Sequence, residues 1–178
     1  MLTVNLIEAN GYTDNQLLKI KRTMAIIERV INSMAFKDAI LNFVRPSKGK
    51  KKRSFSFKKN LLFRFRKYSN KKVYAKIMAS KQAYGNVKNG TMDLYLTMVP
   101  GGDGITIGYG YPKDKEIFTY SEYFDRATDA SLANHIVHEW CHKIGFDHAF
   151  HPWQDKNRDF SVPYAVGNLI ESLADHGE

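Results

Sequence analysis

The sequence predicts an α+β domain, a twisted and mainly parallel sheet with helices packed on it. Three observations carry that reading. Apolar residues alternate with polar ones at Leu2, Val4 and Leu6, and again at Met92, Leu94, Leu96 and Met98, the two-residue period of strands with one buried face. Leu17, Ile20, Met24, Ile27, Ile31 and Met34 recur at three- and four-residue spacing, the period of a long amphipathic helix. The chain has 178 residues, 43% of them hydrophobic, and a single cysteine, so it has enough length for one core and no disulfide framework to replace it.

The elements follow in order. Residues 2–8 form the first strand, and Asn10-Gly11 marks a turn. Thr13 or Asp14 caps the long helix, and a short second helix runs from Phe36 to Val44, ahead of Pro46. Ser69-Asn70 caps a helix through Val73, Tyr74, Ile77 and Met78 to about Ala79. Residues 91–98 form a strand. Pro100 to Gly104 is a tight loop without the Gly-Lys-Ser/Thr of a phosphate loop. A strand starts at Ile105 and Ile107 and runs toward Tyr111-Pro112. Another runs from Ile117 to Phe124, with Tyr120 and Tyr123 as candidate cleft residues. Thr128 or Asp129 caps a helix over about 130–144, in which Leu132, Ile136 and the small, core-type Cys141 face inward. A final helix from about Pro163 to Ala174 carries Val166, Leu169, Ile170 and Leu173.

Charge is unevenly spread. The net charge is +9, but residues 39–92 hold 16 Lys/Arg and no acid, while the remainder holds 11 basic and 18 acidic residues. A basic insertion, about residues 45–72, therefore sits in an acidic body. Within it, residues 45–53 read as a polycationic loop. Phe55, Phe57, Phe63 and Phe65 then alternate with Ser, Lys and Arg as in two strands joined near Lys59-Asn60. Lys50, Lys51, Lys52, Arg53, Arg64 and Arg66 are candidate contacts for an acidic substrate or partner, or for single-stranded nucleic acid. The simpler reading is an edge hairpin with its phenylalanines in the core and a solvated basic face that prevents edge pairing.

The chemistry concentrates at residues 138–148, HEWCHKIGFDH. His138 and His142, four apart, fall on one helical face, where two imidazoles can share one metal ion. Glu139 lies about 100° around the helix, beside the metal and free to act as a base. Gly145 can end the helix with positive φ, so His148 can return as a third ligand. Three protein ligands leave the fourth position open, as in catalytic zinc sites. His135, three before His138, is a rival ligand or a supporting residue. Glu171 on the last helix is a rival third ligand.

This stretch resembles the zinc-binding signature of the metzincin metallopeptidases, HExxHxxGxxH, and matches all five fixed positions. The order of strand, long helix, strands and zinc helix resembles their domains more broadly. The resemblance implies a zincin-type α+β fold and zinc (Zn2+) held by His138, His142 and His148. It also implies peptide-bond hydrolysis by a zinc-bound water with Glu139 as general base. Metzincins place a methionine-containing turn under the zinc and a tyrosine after it. No methionine follows Met98 here, and Pro163-Tyr164 occupies the region. Tyr164 is thus the candidate to stabilise the oxyanion, or else to pack against and orient a ligand.

The expectation is a single-domain, monomeric zinc metalloendopeptidase acting on protein or peptide substrates. The alternative is a non-catalytic, zinc-stabilised module that uses the basic segment to engage an acidic partner or nucleic acid. The N-terminus lacks a secretory signal and no run is apolar enough to span a membrane, so the expected location is cytoplasmic, with release on lysis or incorporation into an assembly as the other routes.

Overall fold

Local signals set the first two elements. Strand β1 (Thr3–Asn10) leads through Gly11 to helix α1 (Asp14–Ile31). Thr13 caps α1 by a capping box: its hydroxyl accepts the Gln16 amide, while the Gln16 side chain accepts the Thr13 amide at 2.9 Å. The computed structural model describes residues 1–47, 50–52, 54–55, 69–83, 90–111, 114–148 and 158–175. The elements after α1 are α2 (Met34–Leu41), β2 (Arg45–Ser47), β3 (Lys50–Lys52), α3 (Asn70–Ala79), β4 (Thr91–Val99), β5 (Gly108–Tyr109), β6 (Glu116–Tyr120), α4 (Ser121–Arg126), α5 (Asp129–Lys143) and α6 (Val162–Asp175), with a 3-10 turn at Arg158–Phe160.

The main sheet has the order β1-β4-β6-β5. β4 pairs in parallel with β1 (Leu6 opposite Leu94) and with β6 (Leu96 opposite Ile117), while β5 runs antiparallel to β6 at the edge. The sheet is therefore mostly parallel, as expected. Met92, Leu94, Leu96 and Met98 are buried and their neighbours half-exposed, so one face carries the helices. Ile20, Ile27, Val30 and Ile31 of α1, Leu132, Ile136, Val137 and Trp140 of α5, and Val166 and Ile170 of α6 fill that core. Each such side chain contributes about 1.5–3 kcal/mol on burial. The outer edge of β1 is closed by α1 and its C-cap: Val4 N–H donates to Glu28 at 2.8 Å and Leu2 N–H to Asn32 at 2.7 Å.

Three sequence expectations need correction. The strand expected over 117–124 stops at Tyr120, and Ser121–Arg126 is helical. The alternation lapses at Ser121-Glu122, and Phe124 turns inward to meet Tyr12 edge-on at 5.4 Å. The strand expected from Ile105 is reduced to Gly108–Tyr109. The Asp103 carboxylate accepts the amides of Ile105 (2.9 Å) and Thr106 (2.6 Å), which holds them in a turn and leaves Ile105 87% exposed. The polycationic loop contains a two-stranded antiparallel pair, β2 with β3.

Of the basic candidates, Lys50, Lys51 and Lys52 lie on β3, with the Lys51 side chain exposed. Arg53, Arg64 and Arg66 lie outside the described residues, as do Phe57, Phe63 and Phe65. Phe55 is buried, stacked on Phe43 with centroids 4.1 Å apart, in keeping with an inward phenylalanine face. No helix among the described residues is long and apolar enough to cross a membrane.

Candidate metal centre

Helix α5 is held at both ends. Thr128 caps it, its hydroxyl accepting the Ser131 amide at 3.0 Å. At the far end Gly145 adopts φ +78°, its amide donating to His142 O (2.9 Å) and the Phe146 amide to Cys141 O (3.0 Å). These are the two bonds of a Schellman closure, with Phe146 buried beneath it. The turn reverses the chain and brings His148 back over the helix. Helix α6 crosses closely: a Cβ on Gly167 would fall 2.2 Å from Asn134 Oδ1. Glu171 accepts bonds from Ser131 Oγ (2.5 Å) and Asn134 Nδ2 (2.6 Å), so it ties the two helices together near the start of α5. As a rival third ligand it is excluded by that placement.

His138, His142 and His148 converge. His148 Nε2 lies 3.2 Å from His138 Nε2 and 3.1 Å from His142 Nε2. Tetrahedral zinc with bonds of about 2.0–2.1 Å sets its nitrogens about 3.3 Å apart, close to these values. Linear hydrogen bonds satisfy only part of this approach. The Nδ1–H of His142 donates to the Phe146 carbonyl at 2.9 Å, which leaves a lone pair on its Nε2. A proton on His148 Nε2 satisfies only one of its two contacts. A cation at the centre can take a lone pair from each of the three nitrogens. Burial, reinforced by the neighbouring imidazoles, holds His138 well below the usual histidine range; burial also lowers His142, and it pulls His148 down to about 3. All three rings are thus neutral at physiological pH, the form that binds metal. The three histidines are positioned to hold a metal ion.

Around this triad, Tyr164 at the start of α6 lies edge-on to His138 (centroids 4.5 Å) and tilted over His148 (4.8 Å). Ser161 Oγ is 3.4 Å from His148 Nδ1. The Ser161-Val162-Pro163-Tyr164 stretch therefore backs the third histidine. Glu139 is buried, with Oε1 4.0 Å from His138 Nε2. Burial raises its carboxyl to about 7 against the opposing pull of the Lys143 charge and a hydrogen bond from the Gly110 amide.

His135 is not a ligand. It is buried below the triad, with Nε2 3.0 Å from Thr119 Oγ1 and Nδ1 4.0 Å from Glu139 Oε1, and desolvation lowers it to about 4. Cys141 is a buried core residue whose thiol is pushed up by desolvation. Tyr123 is half-buried against the core, its hydroxyl donating to Ser131 O at 3.0 Å. Tyr120 stands beside Tyr109 at 6.1 Å on the β5–β6 hairpin.

Two contributors escape sequence reasoning. Lys143 is 2% exposed, and its ammonium donates to the carbonyls of Tyr111 (2.9 Å), Asp114 (2.8 Å) and Glu116 (2.7 Å). Gly108 and Gly110 bring the hairpin backbone onto α5, since a Cβ on Gly108 would meet the His135 ring at 2.8 Å and one on Gly110 the Glu139 carboxylate at 3.0 Å. The spacing in Gly108-Tyr109-Gly110-Tyr111 was a legible signal: glycines two apart on a strand share one face and admit close approach.

Compared as a whole with known proteins, the chain matches no protein-family model, no curated protein and no solved structure.

Proposed function

We propose that the protein is a zinc-dependent metallopeptidase. The observation that carries this reading is the convergence of three histidine Nε2 atoms on one point, 3.1–3.2 Å apart where adjacent, with a buried carboxylate 4.0 Å from one of them. Three imidazoles in this arrangement suit zinc, which when bound polarises a carbonyl and activates water. Glu139 is the general base: it takes a proton from the attacking water and passes it to the leaving amine. Tyr164, packed on His138 and His148, donates a hydrogen bond to the oxygen that gains charge as the carbonyl is attacked. Among the described residues β5 is the last strand of the sheet, and Gly110 beside it lies against Glu139, a placement that suits an extended peptide better than a compact ligand.

The test is a cleavage profile on a proteome-derived peptide library, comparing the wild type with Glu139→Ala and measuring zinc on the same samples. Cleavage by the wild type alone, with zinc in both, supports the reading. Zinc in both with cleavage in neither identifies a zinc-stabilised binding module instead.

A further inference from the structure

We infer that Lys143 is a positioning residue: it fastens the β5–β6 hairpin to the metal helix so that Gly110 stays against the Glu139 carboxylate. The inference rests on the peptidase reading only for its kinetic consequence. Lys143 lies one turn after Glu139 on α5, on the same face. A lysine rarely sits 2% exposed, and here its ammonium points at backbone rather than at solvent. All three acceptors, Tyr111 O, Asp114 O and Glu116 O, come from one short stretch of chain between β5 and the start of β6. Charge-assisted bonds to three carbonyls make a strong, directional link.

That link is continuous with the chemistry. Gly110, next to Tyr111, lies against Glu139, and its amide acts on the carboxyl against the effect of burial. A Cβ built on Gly110 would lie 3.0 Å from Glu139 Oε2 and 3.3 Å from Lys143 Nζ, so the three residues meet at one place. β5 has two residues paired with β6 and, among the described residues, is the last strand of the sheet. Without the ammonium, three carbonyls lose a buried donor and gain by turning toward water, which draws Gly110 off Glu139. The carboxylate then loses the contact that fixes its rotamer. The other contacts of the metal triad, with Phe146, Ser161 and Tyr164, lie on different segments and are untouched.

The experiment is residue-resolved amide exchange on metal-loaded wild type and Lys143→Met, which keeps the length of the side chain and removes its donors. The expected result is exchange at Gly110 and across 114–116 at least tenfold faster, with exchange in α1 and the middle of α5 unchanged and one metal per chain retained. Glu139→Ala is expected to speed exchange at Gly110 alone. Unchanged exchange at Gly110 in Lys143→Met overturns the inference, and so does acceleration spread evenly through α1 and α5, the mark of a merely structural lysine. If Lys143→Met does not fold, Lys143→Gln replaces it, with a shorter reach and the same expected pattern. In peptide hydrolysis, Lys143→Met is expected to lower kcat about tenfold with KM within twofold, and to have no further effect in a Glu139→Ala background. A wild type that binds metal but cleaves nothing removes the peptidase reading, while the exchange pattern still decides the role of Lys143.

Discussion

Glu139, His142 and Tyr164 have separable roles, and single substitutions tell them apart. Glu139→Ala removes the proposed base while leaving the three nitrogens in place. It is expected to keep stoichiometric metal by metal analysis and to lower kcat by a factor of about 10²–10⁴ in a peptide assay. His142→Ala removes a ligand that is also bonded to Phe146 O, so metal content should fall well below one per chain and the melting temperature should drop in a thermal scan. Tyr164→Phe keeps the ring on His138 and His148 and removes the hydroxyl. A fall in kcat of about 100-fold at similar KM marks an oxyanion donor, whereas unchanged kinetics mark a packing residue. At this scale the sequence was most legible. The spacing of His138, Glu139, His142, Gly145 and His148 is governed by helical geometry and one glycine turn, both local rules. Lys143 was not legible, because its acceptors lie 27 to 32 residues away along the chain and a lysine in the last helical turn ordinarily reads as solvated and favourable to the dipole.

Among the elements, the closure of α5 is the joint on which the third histidine depends. Gly145 has room for a methyl group, the nearest atom to a Cβ being Lys76 Nζ at 3.2 Å, so the cost of Gly145→Ala lies in its φ of +78°. That cost is about 1–2 kcal/mol, and a domain of this length loses about 2–4 °C in melting temperature per kcal/mol. Metal affinity should fall with it, because the turn that returns His148 opens; a chelator competition titration measures this. A melting point and affinity equal to wild type would show that the turn holds without glycine. The amphipathic α1 and α6 and the alternating β4 were legible from period alone. The edge hairpin was not. Asp103 captures the amides that would have extended β5, and the adjacent apolar pair Tyr123-Phe124 belongs to α4 rather than to a continued strand. The first outcome turns on side-chain to backbone competition, which hydrophobic period does not register.

For the molecule as a whole, burial of neutral imidazoles sets the response to acid. His135 is lowered to about 4 and His148 to about 3, against about 6.5 in an unfolded chain. As the pH falls below about 6.5 the unfolded chain takes up protons that the folded one refuses, so these rings lower stability from about pH 6.5 down to about 4 for His135 and about 3 for His148, and leave it unchanged above that range. Glu139, raised to about 7, works in the opposite sense over this range, so the test uses chelator-treated Glu139→Gln protein, which should denature at lower urea concentration at pH 5 than at pH 7.5. Equal midpoints would contradict the burial of these rings. Fold class and sheet direction could be anticipated from the order of elements, and the one-sided helical layer agrees with the alternation in β4. The clasp between hairpin and metal helix arises only once β5 lies at the sheet edge beside α5, so no single stretch of sequence encodes it. The central claim is that His138, His142 and His148 together bind zinc in a site open to substrate. Zinc K-edge X-ray absorption on the purified protein tests it most directly. The expected spectrum has four nitrogen or oxygen ligands at about 2.0–2.1 Å with scattering from three imidazoles; an absent edge, or a sulfur ligand at about 2.3 Å, would contradict it.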